Sequence, residues 1–292
     1  TSYIDVIIET ETVAAGERST ADSFNYQTEG NTIYFGGVIP IDREVVIERA
    51  GIWDGPRYAA YLFMEELERN GLDVTEGAVN ILDLDDESLD QNEKVTVLTH
   101  TSPPLSELCN VVNKISHNFF ADQIVRTLGY KFGEEGSFSE GTQVVRDWLK
   151  ENDIPEAEKF RMRDGSGLSY RNRFQPRQAT ALYRLFAPDE FPQDSESIDH
   201  ENLSKEMAFF LSLPESGVDG SLKNRINEEN SSGRVHAKTG YIGGARTLGG
   251  YAETYAGKPL VFSMMCNNYA ISTSEVNATQ NEACELLLKY IE

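Results

Sequence analysis

The first hundred residues carry the two-residue alternation of apolar and polar side chains that is typical of β-strands. This alternation, and the glycine residues that interrupt it, predict five strands at residues 3–8, 32–35, 45–47, 79–82 and 95–98. One helix is predicted among them, at residues 55–70, because Asp54 suits its N-cap and Gly71 suits the position after its last turn.

The apolar pattern changes to helical spacing beyond residue 100. One predicted helical face contains Leu105, Leu108, Val112, Ile115 and Phe119. Further helices are predicted at residues 118–128, ending at Gly129, and at 141–152, 177–187 and 203–212. Three strands joined by short Gly-rich turns are predicted at 235–241, 246–254 and 260–266. A terminal amphipathic helix is predicted at 277–291, with one apolar side formed by Ala283, Leu286, Leu287 and Ile291. The change of pattern predicts a domain boundary near residues 97–103.

Composition narrows the classes of function. Hydrophobic residues make up 39% of the 292 positions, which suffices for a sizeable core. The net charge of −22 repels nucleic acid and anionic membranes, so neither is an expected partner. No apolar run approaches the roughly 20 residues that cross a bilayer, so no transmembrane segment is predicted. The three cysteines and four histidines show no disulfide or zinc spacing, and no metal site is predicted.

The acidic residues are spread along the whole chain, and Arg outnumbers Lys. These features support two hypotheses equally well. One is a protein from a halophilic source, in which dense surface carboxylates maintain solubility. The other is an ordinary acidic bacterial protein.

Salt dependence of stability distinguishes these two hypotheses. The 48 acidic and 26 basic side chains imply strong self-repulsion, which molar salt screens over a Debye length of about 3 Å. For the halophilic protein we expect the melting temperature to rise clearly between low salt and molar KCl, measured by calorimetry. A flat or falling curve would leave the ordinary acidic protein.

Three short motifs contain residue types that carry chemistry. They are Ser116-His117-Asn118, Asp164-Gly165-Ser166-Gly167-Leu168-Ser169 and Lys238-Thr239-Gly240. Each motif alone is weak, and each has a structural interpretation. Ser116 suits a helix cap, Asn118 suits an N-cap, and Lys238 suits an edge strand facing water. The glycine-containing motif suits an ordinary loop.

The order of the motifs is more specific than any one of them. S-x-N, then D-G-S-G-L-S, then K-T-G on a strand, resembles the D-alanyl-D-alanine carboxypeptidase/endopeptidase class of penicillin-binding proteins, the class C low-molecular-mass serine peptidases. Residues 116–122, 219–222 and 236–241 are also similar to that family, and the resemblance covers essentially the whole chain. It implies an α+β fold. Residues 100–292 would be the C-terminal part of a transpeptidase-like domain related to beta-lactamases, with an antiparallel sheet flanked by helices. Residues 1–99 would be the returning part of an inserted β-rich domain.

The resemblance also implies a reaction. The substrate would be a peptidoglycan-type peptide ending in D-Ala-D-Ala, hydrolysed through an acyl-enzyme, and beta-lactams would bind at the same place. By resemblance Ser116 relays a proton to the leaving amine, Asn118 holds the substrate's amide carbonyl, and Lys238 provides a positive field. No metal or organic cofactor is implied. The family implies a periplasmic or extracellular location, although the first residues show no signal-peptide pattern.

The remaining motif residues are assigned to substrate binding by the same resemblance. Thr239 offers its hydroxyl to the terminal carboxylate, Gly240 lets the substrate backbone lie against the strand, and the Tyr241 N–H supplies one oxyanion donor. The glycine-containing loop is expected to shape the cleft without taking part in the chemistry, through residues Asp164, Gly165, Ser166 and Gly167.

The chain departs from the family at the nucleophile. The family carries it in an S-x-x-K motif far upstream of S-x-N, and no serine here has a lysine three residues on. We therefore expect an N-terminally truncated sequence, whether by choice of the expressed segment, by proteolysis or by natural degeneration. This chain alone is expected to be inactive. A second departure is His117, where the family commonly has Asp.

Two alternatives remain open. One is a degenerate penicillin-binding fold that serves binding or scaffolding without catalysis, as the missing S-x-x-K motif suggests. The intact S-x-N and K-T-G motifs argue against it. The other is an unrelated Ser-His-Asp hydrolase using Ser166, but the sequence around this serine, D-G-S-G-L, does not match G-x-S-x-G. The sequence does not choose between carboxypeptidase and endopeptidase activity.

Overall fold

The protein is described by a computed structural model that covers residues 1–20, 30–44, 50–84, 96, 98–189, 191–192, 203–228 and 230–290. The chain divides into two compact units, Thr1–Thr99 and His100–Glu292. The interpretation of the first unit as the returning part of an inserted domain stays a prediction.

The first unit contains a pair of parallel strands, β1 (Asp5–Val13) and β2 (Thr32–Pro40), in register from Asp5 opposite Thr32. Both strands were predicted, although each is longer than its alternating pattern. Helix α1 (Gly55–Arg69) begins where the sequence predicts. The Asp54 side chain accepts a hydrogen bond from the backbone N–H of Arg57, which satisfies a free donor of the first turn.

The strand predicted at residues 79–82 is wrong. A short 3₁₀ turn occupies Ile81–Asp83 instead. The Asn80 side chain accepts from the Leu82 N–H at 3.0 Å and donates to Asp54 at 2.7 Å. Such local side-chain bonds compete with the hydrogen bonds of a strand. The strand predicted at 45–47 lies outside the described residues. Of the one predicted at 95–98, only Thr96 and Leu98 are described, and neither is in a strand.

The second unit is built on an antiparallel sheet with the order β3-β4-β5. Its strands are β3 (Val235–Ile242), β4 (Ala245–Glu253) and β5 (Pro259–Asn267). Helix α7 (Thr273–Leu288) covers one face, where Val235, Ala237, Leu248, Cys284 and Leu288 form a fully buried core. Helices on the other face are α2 (Leu105–Ile115), α5 (Pro176–Leu185) and α6 (Lys205–Ser212). The predicted fold class, an antiparallel sheet flanked by helices, is confirmed.

The apolar side predicted for the terminal helix is only partly correct, because Leu287 packs against the core whereas Leu286 does not. Leu286 is 69% exposed, whereas Val276, Gln280, Cys284 and Leu288 are buried. The error arises from Gln280, which the sequence pattern places with the polar residues. Its side-chain oxygen accepts from the Arg225 guanidinium at 3.2 Å, which supports its burial. Ile291, the last member of the predicted side, lies outside the described residues.

Helix α3 (Asn118–Phe132) continues through Gly129, where the sequence predicts its end. A Cβ atom on Gly129 would lie 2.8 Å from the backbone nitrogen of Gly141 in helix α4 (Phe138–Glu151). Gly129 therefore permits the close packing of α3 against α4 and does not terminate the helix. Gly141 faces Val125 of α3 in the same contact, and a Cβ there would overlap the Val125 carbonyl group.

Because α3 and α4 are in such close contact, adding a single methyl group at Gly141 is expected to lower the stability of the protein strongly. We expect Gly141→Ala to destabilise the protein by about 3 kcal/mol, because the helices must move apart to accommodate it. That corresponds to a fall in melting temperature of roughly 10 °C. Gly136→Ala is the matched control, since its Cβ would meet atoms only at 3.6 Å. Equal melting temperatures for the two variants would contradict the packing argument.

Candidate active site

The first motif lies at the junction of α2 and α3. Ser116 ends α2 with left-handed backbone angles, φ 55° and ψ 53°, which are rare for a residue other than glycine. His117 then caps α3, since its Nδ1 accepts from the Phe120 N–H at 3.3 Å. Asn118 is the first residue of α3 and is exposed, so its interpretation as an N-cap is wrong. Asp is also a strong N-cap, so His117 occupies the place of the family's Asp without loss of a capping acceptor.

Lys238 on β3 reaches this junction from the sheet. Its ammonium group donates hydrogen bonds to the Ser116 hydroxyl oxygen and, at 3.0 Å, to the Thr239 carbonyl. Ser116 and Lys238 are 122 positions apart in the chain. Burial of the ammonium group lowers the pKa of Lys238 to about 8, because a charge is less stable away from water. The structure therefore brings the S-x-N and K-T-G motifs together.

The outer edge of β3 is covered at one end and open at the other. Near its start, the Ala237 N–H donates to the Pro214 carbonyl at 2.9 Å, so it points away from β4. Backbone groups alternate along a strand, so the N–H groups of Thr239 and Tyr241 also point to this edge. Within the described residues, neither N–H has a backbone partner there. The edge beside Lys238 can therefore receive an extended peptide.

Ser221 completes the surroundings of Thr239. The two hydroxyl groups are hydrogen-bonded at 2.8 Å. Asp219, two residues earlier, forms an ion pair of 2.6 Å with Lys114 in the last turn of α2. The segment 219–221 thus links the helix that ends at Ser116 to the strand that carries Thr239. The residue types of this segment resemble the family but by themselves indicate no role; only the tertiary contacts do.

Gly240 is required by the sheet itself. A Cβ atom at this position would overlap the Thr247 hydroxyl on β4. The next residue, Tyr241, has an exposed ring with the Arg246 guanidinium 4.9 Å from its centroid. Gly240 therefore permits the close pairing of β3 with β4, and Tyr241 contacts its partner residue across the same two strands.

The glycine-containing loop is attached to α3, the helix that begins at Asn118. The N–H groups of Gly165 and Ser166 both donate to the Asp122 carboxylate at 2.8 Å. The Asp164 carboxylate closes the loop on itself by accepting from the Gly167 and Ser169 N–H groups. A Cβ on Gly165 would overlap the Ala121 carbonyl, so only glycine permits this approach. The loop is thus held close to the first turns of α3, near the S-x-N junction.

The described residues were also compared with the requirements of a metal site and of a membrane-spanning helix. Their His, Cys, Asp and Glu side chains form no group that could hold a metal ion. None of the helices in the described ranges is both long enough and apolar enough to span a membrane.

Comparison with known proteins agrees with this geometry. A family model for D-Ala-D-Ala carboxypeptidase 3 (S13) matches residues 3–290. The chain belongs to the D-Ala-D-Ala carboxypeptidase 3 (S13) family. This is a family of serine peptidases with a penicillin-binding fold, so the predicted family is confirmed.

Individual relatives of the S13 family show the extent of the similarity. The chain is 28% identical over 245 residues to a D-alanyl-D-alanine carboxypeptidase of Actinomadura. It is 25% identical over 279 residues to the penicillin-sensitive carboxypeptidase A of Dictyostelium discoideum. These matches cover 82% and 92% of this chain but 42% and 49% of the relatives. The chain therefore spans about half the length of the curated relatives it matches.

A solved structure supports the fold. Penicillin-binding protein 4 of Haemophilus influenzae superposes with a TM-score of 0.72 at 20% sequence identity. The superposition covers 98% of this chain and 61% of the other. A second structure of that protein is a complex with a beta-lactam. At this level of identity the likeness establishes a shared fold.

Proposed function

We propose that this chain forms the substrate-binding and proton-relay side of the active site of a serine-type D-Ala-D-Ala carboxypeptidase or endopeptidase. The observation that carries the proposal is the hydrogen bond from Lys238 to Ser116. Nothing local in the sequence brings these residues together. They meet beside an open strand edge, in a chain of the S13 family.

The open edge of β3 supports a mode of substrate binding. A peptide ending in D-Ala-D-Ala would pair with the strand as an added strand, through the backbone groups of Thr239 and Tyr241. The Thr239 hydroxyl, held by Ser221, would bind the terminal carboxylate. The Lys238 charge would attract that carboxylate. The Tyr241 N–H would stabilise the oxyanion, a contribution of roughly 3–4 kcal/mol for one donor.

The relay at Ser116 follows from the direction of its hydrogen bond. Lys238 donates to the hydroxyl oxygen, so the hydroxyl hydrogen of Ser116 remains available for donation. In the proposed acylation, the serine of an S-x-x-K motif attacks the peptide carbonyl and its proton passes to the lysine of that motif. Ser116 receives this proton and gives its own to the leaving amine. Asn118, at the start of α3, would hold the substrate's amide carbonyl, while the loop at Asp164–Gly167 would shape the cleft wall.

The proposal also covers where in the cell the protein acts and what the parts of the protein outside this sequence contribute. Substrate and beta-lactams would reach the site outside the cytoplasm, as periplasmic or extracellular peptides of the cell wall. The S-x-x-K segment would come from a part of the protein not in this sequence. Residues 1–99 would be the returning part of a domain inserted between that segment and residue 100.

The test uses the complete encoded protein. We expect its open reading frame to contain an S-x-x-K motif upstream of this chain, and the purified protein to release D-Ala from an N-acylated peptide ending in L-Lys-D-Ala-D-Ala. A cross-linked peptide as second substrate measures endopeptidase activity. A reading frame without that motif, together with no D-Ala release and no cross-link cleavage, would instead support the degenerate binding or scaffolding protein.

A further inference from the structure

An uncompensated pair of arginines lies in a groove beside the cleft wall. Arg161 and Arg173 form an isolated antiparallel bridge, with backbone N–H···O distances of 3.0 and 2.8 Å in the two directions. Residues that exchange both bonds have Cα atoms about 5.5 Å apart, and their side chains leave on the same side. Like charges directly opposite each other in a strand pair are destabilising, and both of these side chains are exposed. An anion bound between them would relieve this repulsion.

Neither guanidinium has a carboxylate partner among the described residues. The adjacent Lys159 differs, since Glu156 pairs with it at 2.8 Å. The Arg161 guanidinium is also fixed in place. Its Nη1 donates to the carbonyls of Glu158 and Phe160 at 2.6 and 2.8 Å. Those bonds use both Nη1 hydrogens. The N–H groups of Nε and Nη2 on the other edge of the guanidinium remain available, and together they can donate two parallel hydrogen bonds to an oxyanion.

The groove around this pair has a volume of about 750 Å³ and no carboxylate in its lining. Four neutral hydrogen-bonding side chains also line it, namely Asn172, Gln175, Thr247 and Asn267. The other lining residues are Lys159, Gly167, Phe174 and Met265. The surrounding segment is exceptional in a chain of net charge −22. Between residues 159 and 177 six of the 26 Lys and Arg residues occur with a single carboxylate, Asp164, whose oxygens are bound within its own loop.

The groove is next to the candidate active site but separate from its motifs. Gly167, at the end of the cleft-wall loop, lines it. So does Thr247, the residue paired with Gly240 across the sheet. A group bound here would lie behind the K-T-G strand, on the β4 and β5 side.

We propose that the Arg161–Arg173 groove is an oxyanion-binding site, which takes a carboxylate or phosphoryl group carrying more than one negative charge. This goes beyond the proposed function and does not depend on it. The reasoning is electrostatic. A strongly acidic protein repels anionic partners overall, whereas a local pair of guanidinium groups without carboxylate partners, with neutral hydrogen-bonding groups around them, is a surface that can hold one.

Titration calorimetry of the 292-residue protein tests the proposal. Inorganic phosphate and citrate are the two probes, and sodium chloride holds the ionic strength constant. We expect saturable binding of at least one probe, because two guanidinium forks discriminate a multivalent oxyanion from chloride. Binding of phosphate alone assigns a phosphoryl ligand, and binding of citrate alone assigns a carboxylate ligand. Absence of binding by both probes would overturn the proposal.

A pair of double variants localises the site. We expect R161Q/R173Q to weaken binding at least about tenfold, while R163Q/R171Q retains wild-type affinity within about twofold. The control removes the same charge from the same segment, but its side chains do not line the groove. Equal weakening in both variants would show general attraction to positive charge and overturn the proposal. Circular dichroism spectra and melting temperatures confirm that each variant is folded before titration.

Discussion

The isolated 292-residue chain is expected to form no covalent adduct with a fluorescent penicillin. Acylation needs a nucleophile that a neighbouring base can deprotonate, and no serine here has the S-x-x-K spacing of the family. Ser116 is exposed, but its described partner is the Lys238 ammonium, which donates to it and therefore does not act as its base while charged. The measurement is the fluorescence of the denatured protein band after incubation, with mass spectrometry of the intact chain.

The labelling experiment needs a positive and a negative control. Penicillin-binding protein 4 of H. influenzae, which has been solved with a bound beta-lactam, is the positive control. The chain denatured before incubation is the negative control. Adding a fragment that carries the S-x-x-K segment is expected to restore labelling. Stoichiometric labelling of the folded chain on its own would show that a serine within residues 1–292 is the nucleophile, and peptide mapping would identify it.

Removal of the Lys238 charge is expected to have the second large effect. In the complete protein, we expect Lys238→Ala and Ser116→Ala each to lower the second-order rate constant of penicillin acylation by about 10²–10³-fold. Lys238 donates a hydrogen bond to Ser116, and in the proposed mechanism it would also supply the field for the substrate carboxylate, so both variants would interrupt the same proposed relay. Lys223→Ala is the matched control, because Lys223 is exposed and forms no ion pair in the described part of the chain. A rate within twofold of wild type for Lys238→Ala would reject its role.

The pH profile supplies a readout that a purely structural role would not change. The pKa of Lys238 is lowered to about 8 by burial, so its charge is present at neutral pH and lost above pH 8. We expect acylation by the complete protein to fall above pH about 8, and Lys238→Arg to remove this fall because arginine stays charged. The effect on stability has the opposite sign. The pKa of Lys238 is about 8 in the folded protein and 10.5 in the unfolded chain, so between these pH values the unfolded chain holds a proton on Lys238 that the folded protein has lost. The contribution of Lys238 to stability therefore increases with pH across this range.

The local pattern of apolar, polar and capping residues was sufficient to predict most of the helices and strands and to locate the motifs. Asp54 and its following turn predicted the start of α1, and apolar spacing predicted α2 and the three strands of the sheet. The errors occur where distant contacts override local preference. Gly129 looks like a helix end but is a contact between α3 and α4, and Gln280 looks exposed but binds Arg225 in the interior.

The sequence by itself determined which residues could carry chemistry, because residue type and motif order are properties of the chain. It also determined the strong net negative charge of the chain and the local concentration of Lys and Arg between residues 159 and 177. Only the tertiary structure decided that Lys238 reaches Ser116, that Ser221 holds Thr239, and that the edge of β3 beside them is open. The physical reason is that hydrogen bonds depend on distance and direction in space. Packing of helices on both faces of a sheet sets those distances between residues far apart in the chain.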